Sequence, residues 1–331
     1  MRASQPNLES AASRQVLLVN PFAGRVRRAA IARVVERVGI DGNAVLEIGR
    51  DGSAHQLAAR LARRGVRQVL VAGGDGTWHH VVQALAGTRT ALGLIPLGTS
   101  NDLAYRLQIP HDLDRALDVL ADARIASVDL LKMGNHRVAT VGGVGVPAHV
   151  AAACSHLKAR PWLRRPAQAL GGALYSMAAA HRIARYGAQA TVCTTRANHG
   201  TPVTQTVSAI LLGTVPRFGG GLQLYTGVPL RAGMFWALIV TASSRAALID
   251  TLLRLKAGRS CDGHARQYSN LTSFTLHTGT ALGAFGDGEW LGFHRRAVIH
   301  LERGALRALV PPSFSAAAAV ASPPIVRREA S

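Results

Sequence analysis

The sequence predicts an α/β protein: a doubly wound parallel sheet in the N-terminal half, followed by a β-rich second domain. Short apolar runs alternate with amphipathic segments up to Ala121, at the spacing of repeated βα units. Several of those runs end directly in glycine-rich turns, where a parallel sheet places its ligand-binding loops. Beyond Val128 the runs become strand-like and are separated by turn residues.

The elements follow in order. Arg14 to Asn20 (RQVLLVN) is an apolar strand ending in a polar turn, and Val26 to Val38 carries apolar residues at helical spacing. Val45 to Ile48 is a second short strand. Ser53 to Arg64 is a helix with Ser53 as its N-cap, and Gln68 to Ala72 is a strand that runs into Gly73-Gly74-Asp75-Gly76-Thr77. Thr77 to Ala86 reads as helix, Ala91 to Ile95 as strand and Asp112 to Ala121 as helix. Strands are then expected at Val128 to Lys132, Arg137 to Val141, Gln189 to Thr194, Val207 to Gly213, Phe235 to Thr241 and Ser273 to His277. His149 to Tyr186 is the helical exception, broken by Pro161 and Pro166. The expected domains are 14–133 and 134–312, with residues 1–13 and 313–331 as disordered tails.

With 331 residues, 48% of them hydrophobic, the chain can fill two cores. Three separated cysteines, Cys154, Cys193 and Cys261, exclude a disulfide framework and fit a reducing cytosol. The polar N-terminus does not read as a signal peptide, and no run approaches the roughly 20 apolar residues of a membrane span. A net charge of +20 predicts attraction to an anion, and nucleic acid, an anionic membrane and a phosphorylated substrate stand beside a merely Arg-rich background. A nucleic-acid role ranks last, since neither an aromatic β platform nor a helix-turn-helix is legible.

The chemistry concentrates at strand ends. In Gly73–Thr77 two glycines let backbone N-H groups approach an anion, and the helix that follows presents the positive end of its dipole. A plain glycine-rich turn is the alternative. Pro96 to Asp102 (PLGTSND) again joins a strand to a helix, with hydroxyl and amide groups that suit a nucleotide or simply cap the helix. In Asn20 to Arg25 (NPFAGR), Arg25 either pairs with phosphate or stands solvated. Asp287-Gly288 between strands is also a strong hairpin signal.

Taken together, NPFAGR, VAGGDGTWHHVVQAL and GLIPLGTSNDLAYRLQIP resemble the catalytic domain of the diacylglycerol kinase family, which includes sphingosine, ceramide and bacterial lipid kinases. Phe285 to Glu289 is similar to the family's late DGE element, so the resemblance covers most of residues 14–312. It implies a first domain of the NAD kinase/phosphofructokinase-like kind and ATP, with its Mg²⁺, bound between the domains. The implied nucleotide contacts are Asn20, Gly24, Arg25, Gly73, Gly74, Asp75, Gly76, Thr77, Trp78, His79, Gly98, Thr99, Asn101 and Asp102. Glu289 is the implied base toward a lipid hydroxyl, Asp287 is the second candidate, and Asp75 has a metal-linked or structure-holding role beside the phosphates. Expected partners are a diacylglycerol-like or sphingoid lipid and an anionic membrane, met from the cytoplasm at its inner face.

Four departures qualify the resemblance. His79 and His80 stand where the family usually has Asn-Glu, Ile48 replaces a threonine, and Ala232 precedes Gly233 where an acid is usual, so an accessory structural Mg²⁺ site is expected to be absent. Gly143 to Ala148 matches a dinucleotide pattern but lacks the acidic residue downstream, and no GK[ST] phosphate loop is present. The basic segment Lys158, Arg160, Trp162, Arg164, Arg165, His181, Arg182 and Arg185 suits a headgroup boundary, or a charged helix face. A soluble NAD kinase-like enzyme and a catalytically impaired nucleotide- or membrane-binding homologue are the competing functions.

Overall fold

Apolar strands and amphipathic helices alternate from Gln15 onward in the computed structural model, which describes residues 15–24, 26–159, 177–178, 181, 190–219, 221–224, 230–259, 261 and 263–315. Arg25 lies outside the described residues, as do Arg160, Trp162, Arg164, Arg165, Arg182 and Arg185 of the basic segment and residues 1–14 and 316–331. Two units emerge from the contacts. One holds the described residues up to Leu130 with Glu302–Phe314, and the other holds Leu131–His156 and the described residues from 177 to Leu301.

The first unit runs β1 (Gln15–Val19), α1 (Arg28–Val38), β2 (Val45–Glu47), α2 (Ala54–Arg63), β3 (Gln68–Gly73), α3 (Asp75–Leu85), β4 (Ala91–Pro96), α4 (Asp102–Arg106), α5 (Leu113–Ala121) and the start of β5 (Arg124–Met133). Its sheet is parallel, in the order β2-β1-β3-β4. On one face Leu17, Val19, Leu70, Ala72 and Ile95 meet Val34 of α1 and Leu117 of α5. Each fully buried leucine contributes about 2 kcal/mol. Ser53 caps α2 in a reciprocal box with Gln56, and Asp112 caps α5 through the Arg115 N-H, as those residue types favour. α3 begins at Asp75, two residues before the expected Thr77, because extended Gly74 takes the N-cap position.

The second unit contains the end of β5, β6 (His136–Val138), β7 (Val141–Gly145), the first residues of α6 (Val146–Ala159), β8 (Thr191–Ala197), β9 (Val203–Val207), β10 (Ala209–Gly213), a ribbon of β11 (Arg217–Phe218) and β12 (Leu222–Gln223), β13 (Phe235–Val240), α7 (Arg245–Lys256), β14 (Ala265–Leu271), β15 (Ser273–Gly286) and β16 (Glu289–Val310). β16 begins here, while its residues from Glu302 belong to the first unit, where Arg307 and Ala308 pair in parallel with Ala91 and Leu92 of β4. Antiparallel pairing runs β14-β13-β10-β7-β15-β16, with β8 on β15 and β9 on β8. Trp236, Leu238, Phe285 and Leu248 of α7 form one core, and Ile210, Phe235, Phe274, Leu276 and Ile299 form the other.

Neither α7 nor β16 was expected from sequence. The apolar residues of α7 surround the helix rather than forming one stripe, and Gly304, with φ of 58°, interrupts the alternation of β16. Gly143 to Ala148 does join a strand to a helix, but its glycines serve packing: a Cβ on Gly143 would stand 2.0 Å from Ile210 O, and one on Gly145 2.3 Å from Ser208 O.

Gly145→Ala, at φ of 92°, should therefore lower stability by about 3 kcal/mol, read as a fall in urea midpoint with unchanged slope. Burial also pushes the Cys193 thiol from 9.0 up to about 11. Its contribution to stability is complete below pH 9 and is lost as pH rises toward 11. Iodoacetamide at pH 8 should spare Cys193 in the native protein and label it in urea, as peptide mass spectrometry would show.

Candidate active site

Parallel register brings three strand ends of the first unit level. Val19 lies opposite Ala72, and Ala72 opposite Ile95, so the loops starting at Asn20, Gly74 and Leu97 leave one edge together. Backbone bonds fix their departure: Asn20 N donates to Ala72 O at 3.0 Å, and Leu97 N to Gly73 O at 2.9 Å. The Asn20 side chain then ties the first loop to the second. Its Nδ2 donates to Thr77 Oγ1 at 2.7 Å, while its Oδ1 accepts from Phe22 N at 3.0 Å.

Second and third loops meet glycine to glycine. A Cβ on Gly98 would lie 2.6 Å from Gly74 Cα, and one on Gly74 2.9 Å from Gly98 Cα, so a side chain at either position forces the loops apart. Asp75 strengthens the junction, because its Oδ1 accepts from Leu103 N at 3.2 Å in the first turn of α4. Asn101, fully buried and at φ of 51°, donates from Nδ2 to Gly98 O at 3.0 Å. Exposed Gly24 and Thr99 complete the approach of the first and third loops, with Thr99 Oγ1 3.9 Å from the Cβ position of Gly24.

This edge has the chemistry of an anion site. No side chain caps α3, an 11-residue helix whose amino end carries partial positive charge. Two of the expected contacts have a different setting. Trp78 is fully buried and donates from Nε1 to Val71 O at 3.2 Å, and His79 is 4% exposed. With the helix starting at Asp75, both side chains turn into the packed face. His80 is exposed, and the two imidazole rings meet edge to face at 5.5 Å. Among the described residues, no three His, Cys, Asp or Glu side chains gather as a metal site. Asp102 is buried at the start of α4.

In the second unit Asp287 and Gly288, at φ of 52° and 83°, form the two-residue turn joining β15 to β16. Asp287 N donates to Val141 O at 2.9 Å. Its carboxylate accepts from Ala139 N at 3.0 and 3.1 Å, from Thr140 N at 2.7 Å and from Thr140 Oγ1 at 2.8 Å. Asp287, the second candidate for the base, is 8% exposed, and its oxygens hold the β6–β7 connection. Glu289, opposite Gly286 at the first residue of β16, is half-buried. Thr140 was not legible as its partner, since 147 residues separate the two and no local pattern marks the contact.

Residues 14–133 match the family model for the diacylglycerol kinase catalytic domain. A diacylglycerol kinase of Staphylococcus haemolyticus is 39% identical over 103 residues, which cover 30% of this chain and 31% of that protein. A probable lipid kinase YegS-like of Cronobacter sakazakii is 41% identical over 83 residues (24% of this chain, 28% of its own), and a diacylglycerol kinase of Mycobacterium tuberculosis is 36% identical over 119 residues (34% and 38%). The matched segments therefore span about a third of these relatives' length. In fold, the chain resembles a putative diacylglycerol kinase from Bacillus anthracis (TM-score 0.69, 19% identity, 91% of this chain and 98% of that one) and an NAD kinase from Archaeoglobus fulgidus (TM-score 0.51, 11% identity, 92% and 96%).

Asp287→Ala should cost about 3 kcal/mol, because two buried N-H groups and a hydroxyl lose their acceptor. Thr140→Val should cost about 1 kcal/mol. Urea unfolding of the two variants measures both.

Proposed function

We propose that the chain is a kinase that transfers the terminal phosphoryl group of ATP to the hydroxyl of a diacylglycerol-like or sphingoid lipid. The observation that carries this reading is the uncapped amino end of α3, bordered by Gly74 and Gly98 and met by the Asn20 and Thr99 loops. Such an edge offers backbone donors and a helix dipole to phosphate oxygens. Asn20, Gly24, Gly73, Gly74, Gly76, Thr77 and Thr99 would hold the nucleotide, with Asp75 keeping the third loop in place through Leu103. Mg²⁺ would arrive with the nucleotide and neutralise its phosphates.

On the acceptor side, Glu289 is the proposed base. It takes the hydroxyl proton while the lipid oxygen bonds to the terminal phosphorus and the bond to the departing diphosphate breaks. The relatives named diacylglycerol kinase and lipid kinase support a lipid acceptor. No helix among the described residues is long and apolar enough to cross a membrane. A lipid acceptor would bring the proposed enzyme to a membrane surface, and the cytoplasmic face of an anionic membrane is the one we propose.

Radiolabelled ATP offered with diacylglycerol, ceramide, sphingosine and NAD tests the assignment. Label should enter one of the lipids, and Glu289→Gln should lower kcat by about 10²- to 10⁴-fold while nucleotide affinity holds. Label on NAD alone, or undiminished turnover in Glu289→Gln, refutes the respective part.

A further inference from the structure

α7 spans 12 residues of the second unit. Ser244 caps it by accepting from Ala247 N at 3.2 Å, and Leu248, Thr251 and Leu255 seat it on the core. The opposite stripe is apolar as well. Ile249 is 41% exposed and Leu253, one turn on, is 62% exposed, with Ala246 and Ala257 continuing the line. Exposing two large aliphatic side chains one turn apart works against folding, whereas a contact that covers them regains that free energy.

Charge around the stripe is one-sided. Arg245, Arg254, Lys256 and Arg259 are all exposed within 15 residues, against a single acid, Asp250. Asp250 is already engaged by Arg254 at 2.7 Å. Arg245 stands one turn before Ile249, and Lys256 and Arg259 lie three and six residues beyond Leu253, so cations flank both ends of the apolar line. Their side chains are long enough to reach outward while their methylene stems lie along an apolar layer. The net charge of +20 adds a long-range attraction of the same sign.

From this surface we infer a second-unit docking face for an anionic lipid bilayer, with Ile249 and Leu253 entering the headgroup boundary and Arg245, Lys256 and Arg259 meeting lipid phosphates. An exposed aliphatic stripe ringed by cations matches both layers of such a surface. Nucleic acid would take the cations but has no use for the two aliphatic side chains, and a second copy of this chain would bring the same cations against its own. This face has residues distinct in sequence from the basic segment that follows Lys158. It depends on the lipid-acceptor reading only in the choice of a bilayer as the anionic surface.

Co-sedimentation of the full chain with phosphatidylcholine vesicles, with and without phosphatidylglycerol, decides the matter without nucleotide. Wild type should bind the anionic vesicles and leave the neutral ones. Ile249→Ser/Leu253→Ser keeps the net charge and should weaken binding about 10-fold or more. Arg245→Gln/Lys256→Gln/Arg259→Gln should weaken it comparably, while the control Arg63→Gln/Arg64→Gln/Arg67→Gln on exposed α2 flanks should retain it. Circular dichroism and urea midpoints confirm that each variant folds. Wild-type levels of binding by the Ile249/Leu253 variant overturn the inference, as does equal loss in the control. So would a dimer that dissociates on losing the two aliphatic residues, or duplex DNA outcompeting the vesicles. Vesicle binding by a chain that phosphorylates no lipid would leave this face standing and remove the kinase assignment instead.

Discussion

The approach of Gly74 to Gly98 in the first unit sets the terms for everything around it. Two loops from neighbouring parallel strands can share one edge only if their backbones nearly touch, and a single methyl at 2.6 Å would part them. Strand register makes the approach possible, since Gly73 sits opposite Pro96 and both strands end at the same height. Asp75 and Asn101 then lock what the glycines permit, one through Leu103 N and the other through Gly98 O. The amino end of α3 owes its accessibility to that close fit rather than to any single binding residue.

Much of the first unit could be read directly from residue patterns. Ser53 with Gln56, Asp112 with Arg115, and the apolar runs at Gln15, Gln68 and Ala91 are local devices, and local devices survive in a linear pattern. Gly73–Thr77 was legible as a glycine-rich junction between strand and helix for the same reason, although the helix begins at Asp75. What stayed hidden was whatever depends on distant partners. Asp287 read as a turn residue and second candidate for the base, and only the contact with Ala139 and Thr140 reveals a carboxylate used as a clasp. β16 escaped because Gly304 breaks its alternation, and α7 because it has apolar residues on two sides.

The histidines that depart from the family pattern also acquire a physical setting. His79 is buried in the packed face of α3 and His80 stands outside it, so the pair does not converge on one point. Ile48, in the place of a polar residue, is 9% exposed and donates its backbone N-H to Val19 O at 2.8 Å, which extends the strand ladder beside the first loop. His79 and Ile48 are thus packed side chains next to an edge formed mainly by backbone.

β16 returns to the first unit near the end of the chain, where Ala305 O accepts from Gly87 N at 2.7 Å, Leu309 enters the core, and Arg124 reaches the carbonyls of Pro312 and Phe314. During synthesis, β4 therefore emerges from the ribosome more than two hundred residues before the strand segment that covers its outer side. A nascent chain in that interval carries an open sheet margin able to recruit a stranger's strand. Emergence of Arg307 and Ala308, rather than completion of the first βα repeats, is the event that closes this margin.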